Sequence, residues 1–148
     1  AKKRLDVAYR QVPVRYTKPY PGVHDLLRRL QSKGIALGVY SNKGQDLVET
    51  VLSICFPDID FCFEAGWHGK YEPKPSAQAV HAFCEKTGLA MADILYVGDS
   101  DVDFKTARNA NADYRILTWG SRSKEMLLAS GVDENLLIAK IEEIEGLF

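Results

Sequence analysis

The chain has 148 residues, 46% of them hydrophobic and 26% charged, with a formal net charge of −1. That is one domain's worth of average soluble composition, which disfavours disorder, collagen and coiled coil. No apolar run approaches the ~20 residues of a membrane span, no signal-peptide pattern opens the chain, and 19 basic against 20 acidic residues leave no footprint for nucleic acid or an anionic membrane. Cys55, Cys62 and Cys84 lack CxxC spacing and sit in apolar stretches, so they are expected as buried free thiols in a reducing, cytoplasmic compartment.

Residues 2 to about 12 are basic and lightly apolar and read as the end of a helix; Pro13, Pro19 and Pro21 with Gly22 then form an extended linker. Val23, Leu26, Leu27 and Leu30 recur at helical spacing up to Gly34. Ile35 to Tyr40 is a short apolar run expected as a buried strand, followed by a helix from Gln45 to Ile54. Phe61 to Phe63 is a second, shorter strand, and Ala77 to Lys86 a helix ending at Gly88. Ile94 to Val97 and Tyr114 to Thr118 are the third and fourth strands, with a helix over 102–110 between them. Short helices are expected over 124–129 and 138–145.

Short apolar strands alternating with amphipathic helices predict an α/β fold: a doubly wound parallel sheet covered on both faces, whose ligands bind at the carboxyl ends of the strands. Ser41 follows the first strand, Lys74 precedes the helix at 77–86, Asp99 follows the third strand and Asp103 lies four residues on. All four are expected on that rim. Each has a plainer explanation: Ser41, Asn42, Asp99 or Ser100 as helix caps, Asp103 as a first-turn acid, Lys74 as a solvated cation. Together, a hydroxyl, an ammonium and two carboxylates suit a phosphoryl group handled with Mg2+.

These residues resemble a known family. Val39-Tyr40-Ser41-Asn42-Lys43, Lys74-Pro75 and Gly98-Asp99-Ser100-Asp101-Val102-Asp103 look like the second, third and fourth motifs of the haloacid dehalogenase superfamily. Pro19-Tyr20-Pro21-Gly22-Val23 and Leu117-Thr118-Trp119-Gly120 point to its phosphoglycolate phosphatase-like branch. The resemblance spans about residues 19–148, taken as the α/β core, with 1–18 as the end of a helical cap and its linker. It implies a Mg2+-dependent phosphatase of small phosphate monoesters working through an aspartyl-phosphate. Ser41 and the Asn42 backbone would bind the phosphoryl group, and Lys74 would neutralise its charge beside the nucleophile. Asp99 would ligate Mg2+, and Asp103 would do so directly or through water. The run Glu72-Pro73-Lys74-Pro75 leaves a shifted register open, in which Glu72 takes the lysine's place.

One element is missing. The family's attacking aspartate sits in an Asp-x-Asp-x-Thr sequence on a first, central strand, and this chain has none; Asp58-Ile59-Asp60 follows a proline and reads as loop. Without that strand, roughly six to ten backbone groups at two facing edges lack partners, a deficit on the order of 10 kcal/mol. A missing N-terminal segment or another chain is therefore expected to complete the sheet, and the chain alone is expected to turn over p-nitrophenyl phosphate negligibly. The alternative is a pseudophosphatase that binds a phosphorylated ligand or protein partner without turnover. A receiver domain has its acidic pair and lysine in another order. A sugar phosphomutase stays open, and a dehalogenase is disfavoured by the acidic metal motif.

Overall fold

The computed structural model describes residues 17–148. The basic helix expected over 2–12, and nearly all of the expected 1–18 cap and linker, lie outside the described residues. The chain divides into two compact units, the first ending at Tyr71 and the second running from Glu72 to Phe148.

In the first unit, helix α1 (Val23–Ser32) buries Leu26 and Leu30, one turn apart, while its other face carries His24 and Arg28. Both of these reach Asp58 in the loop before the second strand: His24 Nε2 lies 2.6 Å and Arg28 Nε 3.4 Å from its carboxylate. The Gln31 carboxamide holds the same loop, accepting from the Asp60 N–H at 2.6 Å and donating to the Asp58 carbonyl at 3.3 Å. Asp58 and Asp60 are thus loop residues, as their sequence context predicts.

Strand β1 (Leu37–Gly44) pairs in parallel with β2 (Phe61–Trp67), and α2 (Gln45–Cys55) lies against both, burying Val48 and Leu52. Phe63 and Ala65, two apart on β2, are its buried face. Each large apolar side chain so buried contributes about 1.5–3 kcal/mol.

In the second unit, α3 (Gln78–Thr87), β3 (Leu95–Gly98), α4 (Asp101–Ala110), β4 (Asp113–Leu117), α5 (Lys124–Ala129), β5 (Leu137–Ile138) and α6 (Glu142–Glu145) follow in order. Its sheet is parallel throughout, in the order β3-β4-β5. Phe104, Ile116, Leu127 and Val132 form the core, with Tyr114 and Leu137 packed against it; the Phe104 ring meets Tyr114 edge-on at 5.4 Å. Ile116 and Leu127 are fully buried.

The α/β class and the parallel pairing match the expectation from sequence. The strands form two parallel groups, β1-β2 and β3-β4-β5, as expected of a sheet that lacks its first, central strand. Among the described residues, β1 and β3 each have a hydrogen-bonded neighbour on one side only, as the absence of a central first strand predicts.

Three expectations need correction. Residues 138–141 are not helical: Ile138 closes the sheet as β5, hydrogen-bonded beside Leu117, and only Glu142–Glu145 form a helix. A two-residue strand has no period to betray it in sequence. β2 runs four residues beyond Phe63, because its alternation continues through Ala65 into Gly66 and Trp67. The cysteines are free but half-buried rather than buried. Among the described residues, no helix is long and apolar enough to cross a membrane.

Candidate active site

The second unit gathers its polar side chains around the turn from β3 into α4. The turn is tight because Gly98 ends the strand: a Cβ there would fall inside the Asp103 side chain. Ser100 is the N-cap of α4, its Oγ accepting from the Asp103 N–H at 3.2 Å, as expected for a serine opening a helix. The same hydroxyl donates to Asp103 Oδ2 at 2.6 Å, and the Asp99 N–H donates to that oxygen at 3.2 Å. Serine at the cap and an acid three residues on thus satisfy each other and the turn before them, a variant of the capping box.

The other oxygen of Asp103 faces away from the cap. Lys74 Nζ lies 2.7 Å from Oδ1, and Tyr96 Oη donates to the same atom at 3.1 Å. Both partners of the ion pair are withdrawn from water, with side-chain exposures of 14% for Lys74 and 6% for Asp103. Burial alone pushes the Asp103 carboxyl up. The Lys74 charge, the Lys74 and Ser100 hydrogen bonds and the Asp99 N–H outweigh it, leaving this carboxyl below its ordinary value. It is Lys74, not Glu72, whose charge meets the fourth motif; the Glu72 N–H is bound instead by Gln78 Oε1 at 2.8 Å.

Asp99 does not cap α4. Its carboxylate turns to the loop after β4, where the Ser121 N–H donates to Oδ2 at 2.8 Å and Ser121 Oγ to Oδ1 at 3.1 Å. The Ser121 hydroxyl also lies 3.3 Å from the Asp99 carbonyl. Gly120 lets the loop come so close, since a Cβ there would overlap the Asp99 side chain. Sequence reasoning missed Tyr96 and Ser121. Tyr96 shares the face of β3 that ends in Gly98, by the two-residue alternation of a strand, and Ser121 directly follows Trp119-Gly120; both signals are in the sequence.

Ser41 and Asn42 belong to the first unit, inside β1 rather than after it. Between the pairs Tyr40–Ala65 and Gly44–Trp67, β1 carries residues 41–43 while β2 carries only Gly66. Ser41-Asn42-Lys43 is therefore a bulge, a device that re-aims side chains near a strand's carboxyl end. Ser41 Oγ accepts from the Lys43 N–H at 3.2 Å. Neither residue caps α2, whose N-cap is Gly44 with no side-chain bond. In the same unit, Trp67 and His68 stack at 4.2 Å and line a shallow cavity of about 390 Å³ together with Gln45, Asp46 and Glu49.

Among the described residues, no cluster of three or more His, Cys, Asp and Glu side chains is placed to hold a metal. The donors present still suit one kind of ion. Mg2+ binds through one or two carboxylates and completes its shell with water and phosphate oxygens. The Asp99 carboxylate offers hard oxygens of that kind, whereas both oxygens of Asp103 already accept two protein donors each.

The family model of haloacid dehalogenase-like hydrolases matches residues 2–116. The chain belongs to this family. Its relatives place it on the phosphoglycolate phosphatase-like branch: it is 36% identical over 112 residues to a phosphoglycolate phosphatase of Aquifex aeolicus, covering 76% of this chain and 53% of that one. It is 30% identical over 132 residues to the Escherichia coli phosphoglycolate phosphatase, covering 89% and 52%. The solved structure of a phosphoglycolate phosphatase candidate from Lactobacillus delbrueckii superposes with a TM-score of 0.88 at 30% identity, covering 95% of this chain and 58% of that one. A HAD-superfamily hydrolase from Geobacter sulfurreducens has the same fold, with a TM-score of 0.69 at 22% identity over 86% of this chain and 60% of that one. The chain spans about half the length of the curated relatives it matches.

Proposed function

We propose that this chain carries the phosphoryl- and metal-binding residues of a cytoplasmic phosphatase acting on small phosphate monoesters with Mg2+. The observation that supports it most is the half-buried Lys74 ammonium, held at 2.7 Å by Asp103 beside the Asp99 turn at the carboxyl end of β3. A lysine kept from water by a carboxylate is a fixed positive charge for a phosphoryl oxygen, and costs no reorganisation when the charge arrives. Ser41 and the Asn42 backbone N–H lie on the β1 bulge of the first unit, and it is the family resemblance that assigns them as further donors to that group. Asp99 would hold Mg2+, which would supply polarisation of the phosphoryl oxygens. Asp103 orients Lys74 and, with its lone pairs filled by four protein donors, would serve the metal indirectly rather than as a direct ligand.

The attacking group in this reading is a carboxylate that forms an aspartyl-phosphate as the P–O ester bond breaks and the alcohol leaves. No Asp-x-Asp-x-Thr sequence occurs in the chain, so a segment that pairs with β1 or β3 must supply it. The test is p-nitrophenyl phosphate hydrolysis by the 148-residue chain with Mg2+: negligible turnover is expected. Substantial Mg2+-dependent turnover that Asp99→Asn abolishes overturns the nucleophile assignment. The same absence favours a second reading, a pseudophosphatase that binds a phosphorylated ligand; turnover that appears when the aspartate-bearing strand is supplied decides against it.

A further inference from the structure

We infer that Tyr96 is a positioning residue that sets how tightly Asp103 holds the Lys74 ammonium. The inference rests on the reading of Lys74 as the cation that meets the phosphoryl group. Asp103 Oδ1 receives both the ammonium, at 2.7 Å, and the Tyr96 hydroxyl, at 3.1 Å, while Oδ2 is filled by Ser100 Oγ and the Asp99 N–H. A carboxylate oxygen offers about two lone-pair sites, so each is fully used. The tyrosine and the lysine therefore share one atom. Donation from Tyr96 withdraws electron density from Oδ1, weakens its claim on Lys74 and leaves the ammonium with charge to spend on another oxyanion. Ser100 and the Asp99 N–H act on the other oxygen and do not share that atom with the lysine.

The placement follows from the strand. Tyr96 and Gly98 lie two apart on β3 and share the face against which Asp103 rests, with the glycine making room for the carboxylate that the tyrosine then meets. Asp103 reaches this spot as the third residue of the α4 turn, so its rotamer is already fixed by the Ser100 cap. Tyr96 adds the link between that cap and the loop carrying Lys74. With its hydroxyl removed, Lys74 becomes the one donor to Oδ1 among the described residues and the pair tightens.

The experiment uses Tyr96→Phe in the 148-residue chain and reads two quantities. Acetylation of Lys74 by acetic anhydride is followed by mass spectrometry relative to exposed Lys105, and binding of inorganic phosphate in Mg2+ buffer by calorimetry. Loss of one hydrogen bond is worth about three- to tenfold, so Tyr96→Phe is expected to slow Lys74 acetylation and weaken phosphate binding by that factor. 3-Fluorotyrosine at position 96, a stronger donor, should speed Lys74 acetylation. An unchanged Lys74 rate in Tyr96→Phe overturns the inference. So does a faster one, which is what mere loosening of the fold would give. If Tyr96→Phe loses its native circular dichroism, the fluorotyrosine comparison decides alone: a rate that does not rise overturns the inference. A wild-type chain that binds no phosphate refutes the phosphatase reading, while the acetylation result still decides the role of Tyr96.

Discussion

Replacing Asp103 with asparagine keeps the shape of the side chain and removes its charge. Asp103 is 5% exposed and its Lys74 partner half-buried, so the lysine loses the carboxylate that holds it at 2.7 Å. Breaking a buried pair from one side costs about 3–5 kcal/mol where the remaining charge cannot reach water. Lys74 has a long stem and some solvent contact, which lowers the figure. Against that, the new amide brings N–H groups to one of the two oxygen positions. On the Oδ1 side it confronts Lys74. On the Oδ2 side it confronts the Asp99 N–H, which cannot turn to accept, although the Ser100 hydroxyl can. The net expectation is a loss of about 2–4 kcal/mol, roughly 5–15 °C in Tm for a chain of this size. Urea unfolding followed by circular dichroism measures it, with Lys74→Met and the double variant completing a cycle. The double variant should cost about 1–3 kcal/mol less than the sum of the single ones, because the Lys74–Asp103 pair can be lost only once. An Asp103→Asn cost below about 1 kcal/mol, together with additive costs, would refute the claim that this pair is a buried, coupled unit.

The same carboxyl gives a pH dependence. Its value is depressed in the folded state, so its contribution is fully present above the ordinary aspartate value of about 3.9 and is lost as pH falls from there through the folded value. The urea midpoint of the wild type should therefore fall with acid below about pH 4, and Asp103→Asn should lose that part of the slope; parallel curves for the two would contradict the assignment. Gly98→Ala places a Cβ inside the Asp103 side chain and should cost about 1–3 kcal/mol, with a changed near-ultraviolet spectrum; a stability within about 0.5 kcal/mol of wild type would show that the turn can open freely.

Much of this fold was legible because periodicity reports burial. Leu26 and Leu30, or Val48 and Leu52, announce their helices by the face they bury, and Ile94 to Val97 announces a strand by being apolar without interruption. What periodicity cannot report is pairing. Ile138 is apolar in either a strand or a helix, and only Leu117 beside it, twenty-one residues earlier in sequence, makes it a strand. Ser41 and Asn42 read as the end of a strand because polar residues usually end one. In the fold the strand runs through them, and the three-against-one bulge opposite Gly66 explains how a strand tolerates them. Half of the site was readable in the same sense. The fourth motif gives Asp99 and Asp103 by spacing alone, but that one aspartate turns to Ser121 and the other to Lys74 depends on contacts made across 22 and 29 positions of sequence.

The fourth motif joins folding and site interactions on one side chain. Asp103 does three things through two oxygens: it completes the cap of α4 with Ser100, it ties the Asp99 backbone into the turn, and it receives Lys74 and Tyr96. The first two are folding interactions that any stable helix start would reward, and the third belongs to the site. Because they share one carboxylate, the site inherits its geometry from the helix cap without a separate scaffold, and the turn cannot relax to suit the lysine without unfastening the helix. Glutamate at 103 would keep the charge and lengthen the reach by one methylene, moving the carboxylate away from the place over Gly98 that Asp103 fills. The spacing of serine, acid and glycine in this turn is therefore set by sterics and hydrogen-bond count, and the positioned ammonium follows from both.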